Sequence, residues 1–355
     1  MAAMDSFLIT VDGSQHEVSP RAVRQLLDTS ARFWLDLTHP DKGTADALLR
    51  DTFGFHPLAV KDAEHFGQRP KIDPYDDVTL MVVYGATRSR LIEVHCFYNE
   101  NYLVTVHRDV CPELNALAER VRQRVGPRPD HVMLLFSVIE TLIDGYFPVL
   151  ADLDEQIDSL EDAILQRPTD QQLGQLFDLK RWLIALRKVV TPQRDMFATL
   201  LSGAETLPGM TTDGERYFRA LYDHLIRISD LVDSYRDLLS SVLDTHLSTV
   251  SNRLNVVVKQ LTIIATIFLP LSFLTGFFGQ NFAWMVTRIT SLPAFVGVGI
   301  GLQVTVAVGL IVVFRRRGWL SADGTVPSAR PADRPRVTQQ ERWHVAQPLK
   351  EPQST

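Results

Sequence analysis

The chain has 355 residues, a formal net charge of −6 and an isoelectric point near 5.9. This length predicts two or more domains, and the acidic balance excludes a generally basic nucleic-acid-binding protein. Two cysteines, Cys96 and Cys111, are too few for a disulfide framework and indicate a reducing compartment. The N-terminal segment lacks the basic region of a cleavable signal peptide, so none is expected.

Residues 1–130 are predicted to form an α/β domain. Short runs rich in β-branched and aromatic residues predict five strands, at Phe7–Val11, Arg32–Leu37, Val78–Tyr84, Leu91–Tyr98 and Tyr102–His107. The helical spacing of apolar residues predicts three helices, at Val18–Leu27, Ala45–Phe53 and Pro112–Val125. Pro and Gly residues in Gly126–Asp130 then predict a break.

Residues 131–212 are predicted to form a helical hairpin. The first helix, His131–Leu165, is acidic in its second half and carries apolar residues at a/d spacing, while the second helix, Asp170–Leu201, is basic. Complementary charge predicts that the two helices lie antiparallel. A solvated structural hairpin is favoured over a metal buffer.

The next segment predicts one unbroken helix, which joins a stalk (residues 213–257) to an apolar stretch (residues 258–280). Apolar residues from Phe218 to Val242 recur at alternating intervals of three and four, the seam of a coiled coil. No Pro or Gly interrupts Glu215–Leu269, and Pro270 is expected to loosen or kink the helix. The helix would be roughly 95 Å long, which predicts an oligomer that buries the seam.

Two apolar runs, Leu261–Phe278 and Leu292–Phe314, predict a transmembrane hairpin. The only charged side chain between Lys259 and Arg315 is Arg288. Each run is about long enough to cross a hydrocarbon core of roughly 30 Å, where one charge costs on the order of 3 kcal/mol. A pair of buried core helices is the alternative.

Flanking charge predicts the orientation in the membrane. Basic residues precede the first run and Arg315–Arg317 follow the second, so both termini are expected in the cytoplasm. Residues 281–291 then form an external loop, residues 292–314 the second transmembrane helix, and residues 315–355 a basic end with a disordered tail. The expected location is the plasma membrane, which is the inner membrane in a Gram-negative cell.

One side of the long helix departs from the seam, because small and polar residues recur there at intervals of three and four. They are Asp244, Ser251, Asn255, Val258, Thr262, Ala265, Leu269, Ser272, Gly276 and Gly279. Copies around an axis would line a tube with oxygen groups, which hard cations such as Mg²⁺ prefer. Rings of Val258 or Leu269 would close the tube by dewetting. Close helix packing through small residues is an equally weighted alternative.

Several segments resemble the CorA family of divalent-cation transporters. SNRLNVVVKQLTIIATIFLPLSFLTGFFGQNF (Ser251–Phe282) resembles the family signature, and FRRRGWL (Phe314–Leu320) resembles its C-terminal end. Shorter matches are HPLAVKDA, RPKIDPYDD, LVTVH and YFRALYDHL, and together the matches cover about residues 30–320. The resemblance implies an α+β homopentamer with an N-terminal α/β cytoplasmic domain, a stalk helix continuous with the first transmembrane helix, and two transmembrane helices per chain.

In the family, a Gly-Met-Asn triplet ends the first span and forms the outer selectivity ring. Here the triplet is Gly279-Gln280-Asn281, with Gln in place of Met. The resemblance implies that Asn281 meets a hydrated Mg²⁺. It also implies lower pore positions at Asp244 and Asn255 and hydrophobic constrictions at Leu261 and Leu269. Together with Val258, these two leucines form the expected hydrophobic gate.

Two departures from the family concern the outer loop and the regulatory metal site. The loop lacks the acidic residues of the magnesium branch and contains Arg288. A stalk position that carries a carboxylate in the family is Ala220 here. Regulation by Mg²⁺ would then need other carboxylates, for which the candidates are Asp223, Asp73, Asp76 and Asp77. Exposed loop acids are the alternative explanation of that Asp cluster.

The favoured function is transport of divalent cations, first Mg²⁺ and then Co²⁺ or Ni²⁺, by a homopentamer in the lipid bilayer. No covalently bound cofactor and no nucleic-acid partner are expected, and the ion is both the cargo and a candidate regulator. The first alternative is a proton-coupled Zn²⁺ transporter of the same superfamily. The second is a membrane-anchored scaffold or sensor without a pore. The scattered histidines show no nucleophile–base pattern, so an enzyme is not expected.

Overall fold

The computed structural model describes residues 6–10, 12–87, 90–123, 131–280, 283, 287 and 291–320. The chain divides into two compact units, Met1–Thr249 and Val250–Thr355. Asn281, Arg288, Gly126–Asp130 and the predicted disordered tail lie outside the described residues, so the predictions made for them are not tested by the structure.

In the described part of the first unit, seven strands form one mixed sheet. They are β1 (Ser6–Thr10), β2 (Gln15–His16), β3 (Phe33–Thr38), β4 (Lys71–Tyr75), β5 (Val78–Thr87), β6 (Arg90–Tyr98) and β7 (Tyr102–His107). The strand order is β2-β1-β3-β7-β6-β5-β4, in which β3 and β7 are parallel and all other neighbours are antiparallel. Five of these strands match the predicted ones to within a few residues, whereas β2 and β4 were not predicted.

Helices cover both faces of the sheet. They are α1 (Pro20–Asp28), α2 (Lys42–Ala45, continued by a π-helical turn at Asp46–Arg50), α3 (Pro57–Glu64), α4 (Pro112–Gln123), α5 (His131–Asp144), α6 (Tyr146–Gln166), α7 (Asp170–Leu201) and α8 (Thr212–Phe278). One apolar core joins a sheet face to α1, α2 and α3, and the other joins the opposite face to α4–α8. The result is the α+β class, as predicted.

The predicted helix His131–Leu165 is two helices, α5 and α6, which meet at Gly145. A Cβ on Gly145 would lie only 2.5 Å from the carbonyl oxygen of Ala86 in β5. Glycine is therefore required by a close approach between the helix junction and the sheet, although its φ of −58° suits any residue. The single-helix prediction was wrong because local periodicity carries no information about this tertiary contact.

The predicted hairpin and stalk are confirmed as helices. The a/d residues of α6, such as Leu153 and Ile157, are buried, and α7 begins with a capping box between Thr169 and Gln172. The predicted seam of the stalk, from Phe218 to Val242, is also buried within this single chain. The seam up to Val242 is thus covered by the chain's own core, and it does not require further copies to exclude it from water.

In the part of the chain that the structure describes, three helical segments are long and apolar enough to cross a membrane: His131–Gln166, Thr212–Phe278 and Val296–Arg316. In the first segment, 56% of an apolar stretch of 18 residues is buried inside the protein, whereas the corresponding stretches of the other two segments are not buried at all. Packing in the first unit therefore identifies α5 and α6 as core helices. The two remaining segments correspond to the predicted transmembrane hairpin, and the alternative of two buried core helices does not apply to them.

Unit Val250–Thr355 contains the end of α8 and a second apolar segment. That segment is helical at Leu292–Ala294, π-helical at Phe295–Gly301 and α-helical again at Leu302–Arg316. Gly318 follows with a φ of +70°, and its N–H donates to the carbonyl of Arg315. Such a left-handed residue stops a helix, because its N–H satisfies one of the terminal carbonyl groups.

Candidate functional site

The small and polar stripe predicted on α8 is exposed along its whole length. All ten predicted positions, from Asp244 to Gly279, are exposed in the chain, and Leu261 beside them is exposed as well. Leu269 is 75% exposed and Val258 is 60% exposed. Aliphatic side chains this exposed on one helix indicate a surface that contacts lipid or other protein chains.

The opposite side of α8 is more protected. At about 100° per residue, the half-buried residues Ile263, Ile267, Leu271, Leu274 and Phe278 lie roughly opposite the stripe. The helix in this unit therefore has one side partly covered by its own chain and one side left open. The sequence predicted the open side but not which residues would cover the other.

The first two residues of the triplet terminate α8. The N–H of Gly279 donates to the carbonyl of Thr275 at 2.9 Å, and the N–H of Gln280 donates to the carbonyl of Phe277 at 3.3 Å. Both Gly279 and Gln280 are exposed. The last carbonyl groups of a helix lack helical partners and form its negative end, which favours cations. The third residue, Asn281, lies outside the described residues.

Among the described residues, a hydrogen bond joins α8 to the second apolar segment just below this turn. Nε2 of Gln303 donates to Oγ1 of Thr275 at 3.2 Å. Sequence analysis missed this pair. The signal was present, because Gln303 and Thr305 are the only polar residues of the run Leu292–Phe314.

The second apolar segment ends in a compact turn. Trp319 stacks on Phe314 with ring centroids 5.6 Å apart, and the N–H of Trp319 donates to the carbonyl of Phe314 at 2.9 Å. The three arginines Arg315–Arg317 between them are exposed. Aromatic and basic residues in this arrangement are typical of the boundary between a membrane and water.

The four predicted regulatory carboxylates are spread over three places in the first unit. Asp73 lies on β4 and pairs with Lys71 at 2.6 Å, Asp76 and Asp77 lie in the exposed turn after β4, and Asp223 is exposed on α8. Within the described residues, no group of three or more His, Cys, Asp or Glu side chains is arranged to hold a metal ion. Their regulatory role stays a prediction.

Glu140 and Asp144 form a pair of carboxylates on α5 that sequence analysis missed. Glu140 is half-buried, whereas Asp144 is more exposed. Burial raises the pKa of Glu140, and the charge of Asp144 raises it further. Burial also raises the pKa of Asp144, while the charges of His224 and Arg120 act in the opposite direction. The signal in the sequence was the spacing of four residues between two acids in an otherwise apolar helix.

The protein combines a mixed sheet, a long helix and two apolar helical stretches that are not buried inside the protein. These features define an integral membrane protein of the α+β class. The profile described as CorA-like Mg²⁺ transporter protein matches residues 30–316. The chain therefore belongs to this family, whose members are membrane transporters and not enzymes.

Relatives of this chain are named for the transport of different ions. The chain is 33% identical over 305 residues to the cobalt/magnesium transport protein CorA of Thermotoga maritima, which covers 82% of this chain and 85% of that protein. It is 27% identical over 286 residues to the zinc transport protein ZntB of Yersinia enterocolitica, which covers 79% of this chain and 85% of that protein.

A solved structure shows the same fold. The complete structure of the CorA magnesium transporter from Methanocaldococcus jannaschii matches with a TM-score of 0.76 at 21% identity, over 90% of this chain and 100% of that one.

Proposed function

We propose that this chain transports divalent cations, Mg²⁺ in the first place and also Co²⁺ or Ni²⁺, through the axial pore of a homopentamer. The observation that supports it most is the open side of α8, where oxygen-bearing and small residues share one face opposite the half-buried face. Five copies around an axis would enclose this face, and the covered side would point outward. Membership of a transporter family supports the same assignment.

Ion selection is assigned to the turn Gly279-Gln280-Asn281. Five Asn281 amide oxygens would meet a hydrated cation without adding a fixed charge that traps it. The carbonyl groups at the end of α8 add negative potential at the same level. Below this turn, Asn255 and Asp244 supply further oxygen groups along the pathway.

The hydrophobic gate is assigned to Val258, Leu261 and Leu269. Exposed aliphatic side chains on the open side of α8 would form apolar rings in the pentamer, and such rings exclude water when narrow. We place the protein in the plasma membrane, with both termini in the cytoplasm. The membrane potential would then favour inward flow of a divalent ion by roughly 4–5 kcal/mol at about 100 mV.

A Zn²⁺ transporter with proton coupling is the second candidate. It is favoured by the 27% identity to a protein named for zinc transport, by the change from Met to Gln in the triplet, and by the outer loop, which has Arg288 and no acidic residue. Five arginines near a pore entrance would repel cations unless they point away from it.

Ion flux into liposomes that contain the purified full-length protein tests these assignments. Mg²⁺ and Zn²⁺ uptake are measured separately, each with and without a proton gradient. We expect Mg²⁺ uptake that does not depend on the gradient, and uptake of Zn²⁺ alone that follows the gradient would favour the second candidate. Asn281→Ala is expected to abolish selective uptake. The matched control is Asn252→Ala, because Asn252 is exposed on α8 but lies off the stripe.

The regulatory proposal concerns Mg²⁺ bound between cytoplasmic domains by Asp223, or by Asp73, Asp76 and Asp77. If it is correct, Asp223→Asn shifts the internal Mg²⁺ concentration that halves the flux to a higher value. Asp230→Asn is the control, since Asp230 is exposed two helical turns further along α8. Equal behaviour of the two variants would remove Asp223 from the site. Unchanged metal uptake after Asn281→Ala would instead favour a scaffold or sensor without a pore.

A further inference from the structure

We propose that Gln303 is a positioning residue for ion selection, and that it acts through Thr275 on the turn that begins the Gly279-Gln280-Asn281 triplet. The inference rests on the proposed function, because it assigns a contribution to the choice of ion. Gln303 and Thr275 belong to the same unit of the structure.

The side chain of Thr275 is held from two directions. Its Oγ1 donates to the carbonyl of Leu271 at 2.8 Å and accepts from Nε2 of Gln303 at 3.2 Å. The hydroxyl proton is therefore committed to the helix, and a lone pair is committed to the second apolar segment. This arrangement fixes the rotamer of Thr275 and ties the last two turns of α8 to a neighbouring helix.

The backbone of the same residue terminates α8 at the triplet. The carbonyl of Thr275 accepts the N–H of Gly279 at 2.9 Å, and a Cβ on Gly279 would lie 3.1 Å from that carbonyl oxygen. Gly279 thus sits close against Thr275. A shift of Thr275 relative to the second segment would carry Gly279 with it, and the ring of oxygen ligands proposed at Asn281 follows directly in the chain.

The apolar character of the second segment explains why the amide of Gln303 bonds to Thr275. Thr305, the other polar residue of Leu292–Phe314, satisfies its hydroxyl with the carbonyl of Gly301 at 2.8 Å, within its own segment. The amide of Gln303 instead bonds across to α8. An amide without a partner is costly in an apolar environment, so hydrogen bonds between apolar helices are favoured there.

The π-helical stretch Phe295–Gly301 directs Gln303 towards α8. A π-helical turn contains more residues than an α-helical turn, so the stretch rotates every following side chain about the segment axis. Gln303 lies two residues after it. The direction of its side chain is therefore set by this irregular stretch as well as by its own position in the sequence.

Four variants of the full-length protein test the inference in liposomes: Gln303→Leu, Thr275→Val, the double variant, and Thr275→Ser. The readout is the ratio of Mg²⁺ to Zn²⁺ flux measured in the same liposomes. Each single variant is expected to change this ratio about threefold to tenfold, the range that corresponds to one hydrogen bond between membrane helices. The double variant is expected to show no larger change than either single one, and Thr275→Ser, which keeps the hydroxyl, should retain the original ratio.

Thr305→Val is the matched control, because it removes a hydroxyl of the same segment that bonds only to the carbonyl of Gly301 in the described contacts. An unchanged ratio in Gln303→Leu, or effects that multiply in the double variant, would overturn the inference while leaving the transport proposal intact. A wild-type protein that moves no divalent cation defeats the transport proposal instead. In that case the midpoints of thermal unfolding of the same variants decide whether the two residues are coupled, and additive shifts would reject the pair.

Discussion

Gln193 of α7 hydrogen-bonds both backbone polar groups of Tyr84 in β5. Its Oε1 accepts the N–H of Tyr84 at 2.6 Å and its Nε2 donates to the carbonyl of Tyr84 at 3.1 Å. The neighbouring strand β4 begins at Lys71, which pairs with Val82, so Tyr84 lies just beyond the reach of that strand. The completely buried Gln193 side chain thus makes the two backbone hydrogen bonds that a residue of a longer β4 would make, and it links α7 to the sheet.

Gln193→Leu is expected to lower the free energy of unfolding by about 2–4 kcal/mol. The replacement is similar in volume, but it leaves a buried N–H without its partner and removes one bond from a carbonyl that also accepts from Tyr146. Denaturant unfolding followed by circular dichroism measures the change. Gln171→Leu, at an exposed position of the same helix, is expected to alter stability by less than about 0.5 kcal/mol.

Two glycines in helical segments are expected to respond to alanine in opposite directions. Gly145→Ala should destabilise the protein by about 1–3 kcal/mol, because the new Cβ meets the carbonyl of Ala86 at 2.5 Å. Gly174→Ala, in the interior of α7, should stabilise it by about 0.4–1 kcal/mol, since nothing lies within 4 Å of its Cβ. Thermal unfolding of both variants checks the pair, and a stable Gly145→Ala protein would contradict the close approach described for the α5–α6 junction.

A buried acid–imidazole pair lies where the parallel strands β3 and β7 meet. Nε2 of His107 is 3.1 Å from each carboxylate oxygen of Asp36, and Nδ1 is 2.7 Å from the carbonyl of Asp109. Both ring nitrogens face acceptors, an arrangement that favours the doubly protonated ring. Burial disfavours the charged ring, but the charge and hydrogen bond of Asp36 outweigh it and the pKa of His107 is raised above 6.5.

This pair predicts a loss of stability at alkaline pH. Because the pKa of His107 is higher in the folded protein, its stabilisation is complete below an unfolded-state pKa of about 6.5 and disappears as the pH rises through the raised folded-state pKa. Unfolding midpoints from about pH 6 to about pH 9 should therefore fall more steeply for the wild type than for His107→Gln. Equal slopes in the two proteins would show that the ring is neutral in the fold.

Leu269→Asn is expected to produce a leak of divalent ions. In the proposed pentamer, a ring of five asparagine side chains would stay hydrated and could not close the pore by dewetting. Uptake into liposomes should continue under internal Mg²⁺ concentrations that silence the wild type. Leu269→Met is the matched control, since it keeps an apolar ring of similar volume. Normal, regulated transport by Leu269→Asn would show that the constriction lies elsewhere.

Periodicity and composition predicted those parts of the molecule that local sequence determines. The bounds of α7 follow from helical periodicity, and the strand Tyr102–His107 follows from a run rich in β-branched and aromatic residues. The unbroken course of α8 into the apolar region follows from the absence of Gly or Pro in Glu215–Leu269. Regular spacing also predicted the exposed stripe that contains Val258 and Leu269. Each of these features depends on residues within a few turns of one another.

The remaining features depend on residues that are distant in the chain. Gln193 and Tyr84 are 109 residues apart, and Gln303 and Thr275 are 28 apart, so no local pattern pairs them. The break at Gly145 reflects a contact with β5 that only the folded sheet creates. Strand β4 escaped prediction because Pro74 within it argues against a strand, although proline is tolerated at the edge of a sheet.

The two edge strands of the sheet affect how copies of the protein can associate. One border is β2, with only two residues, and the other is β4, with five residues that include a proline. Short or proline-containing borders offer a foreign strand few free N–H and C=O groups, which disfavours aggregation through strand addition. Assembly of the proposed pentamer would then rest on helical surfaces, whose fit depends on the shapes of their side chains.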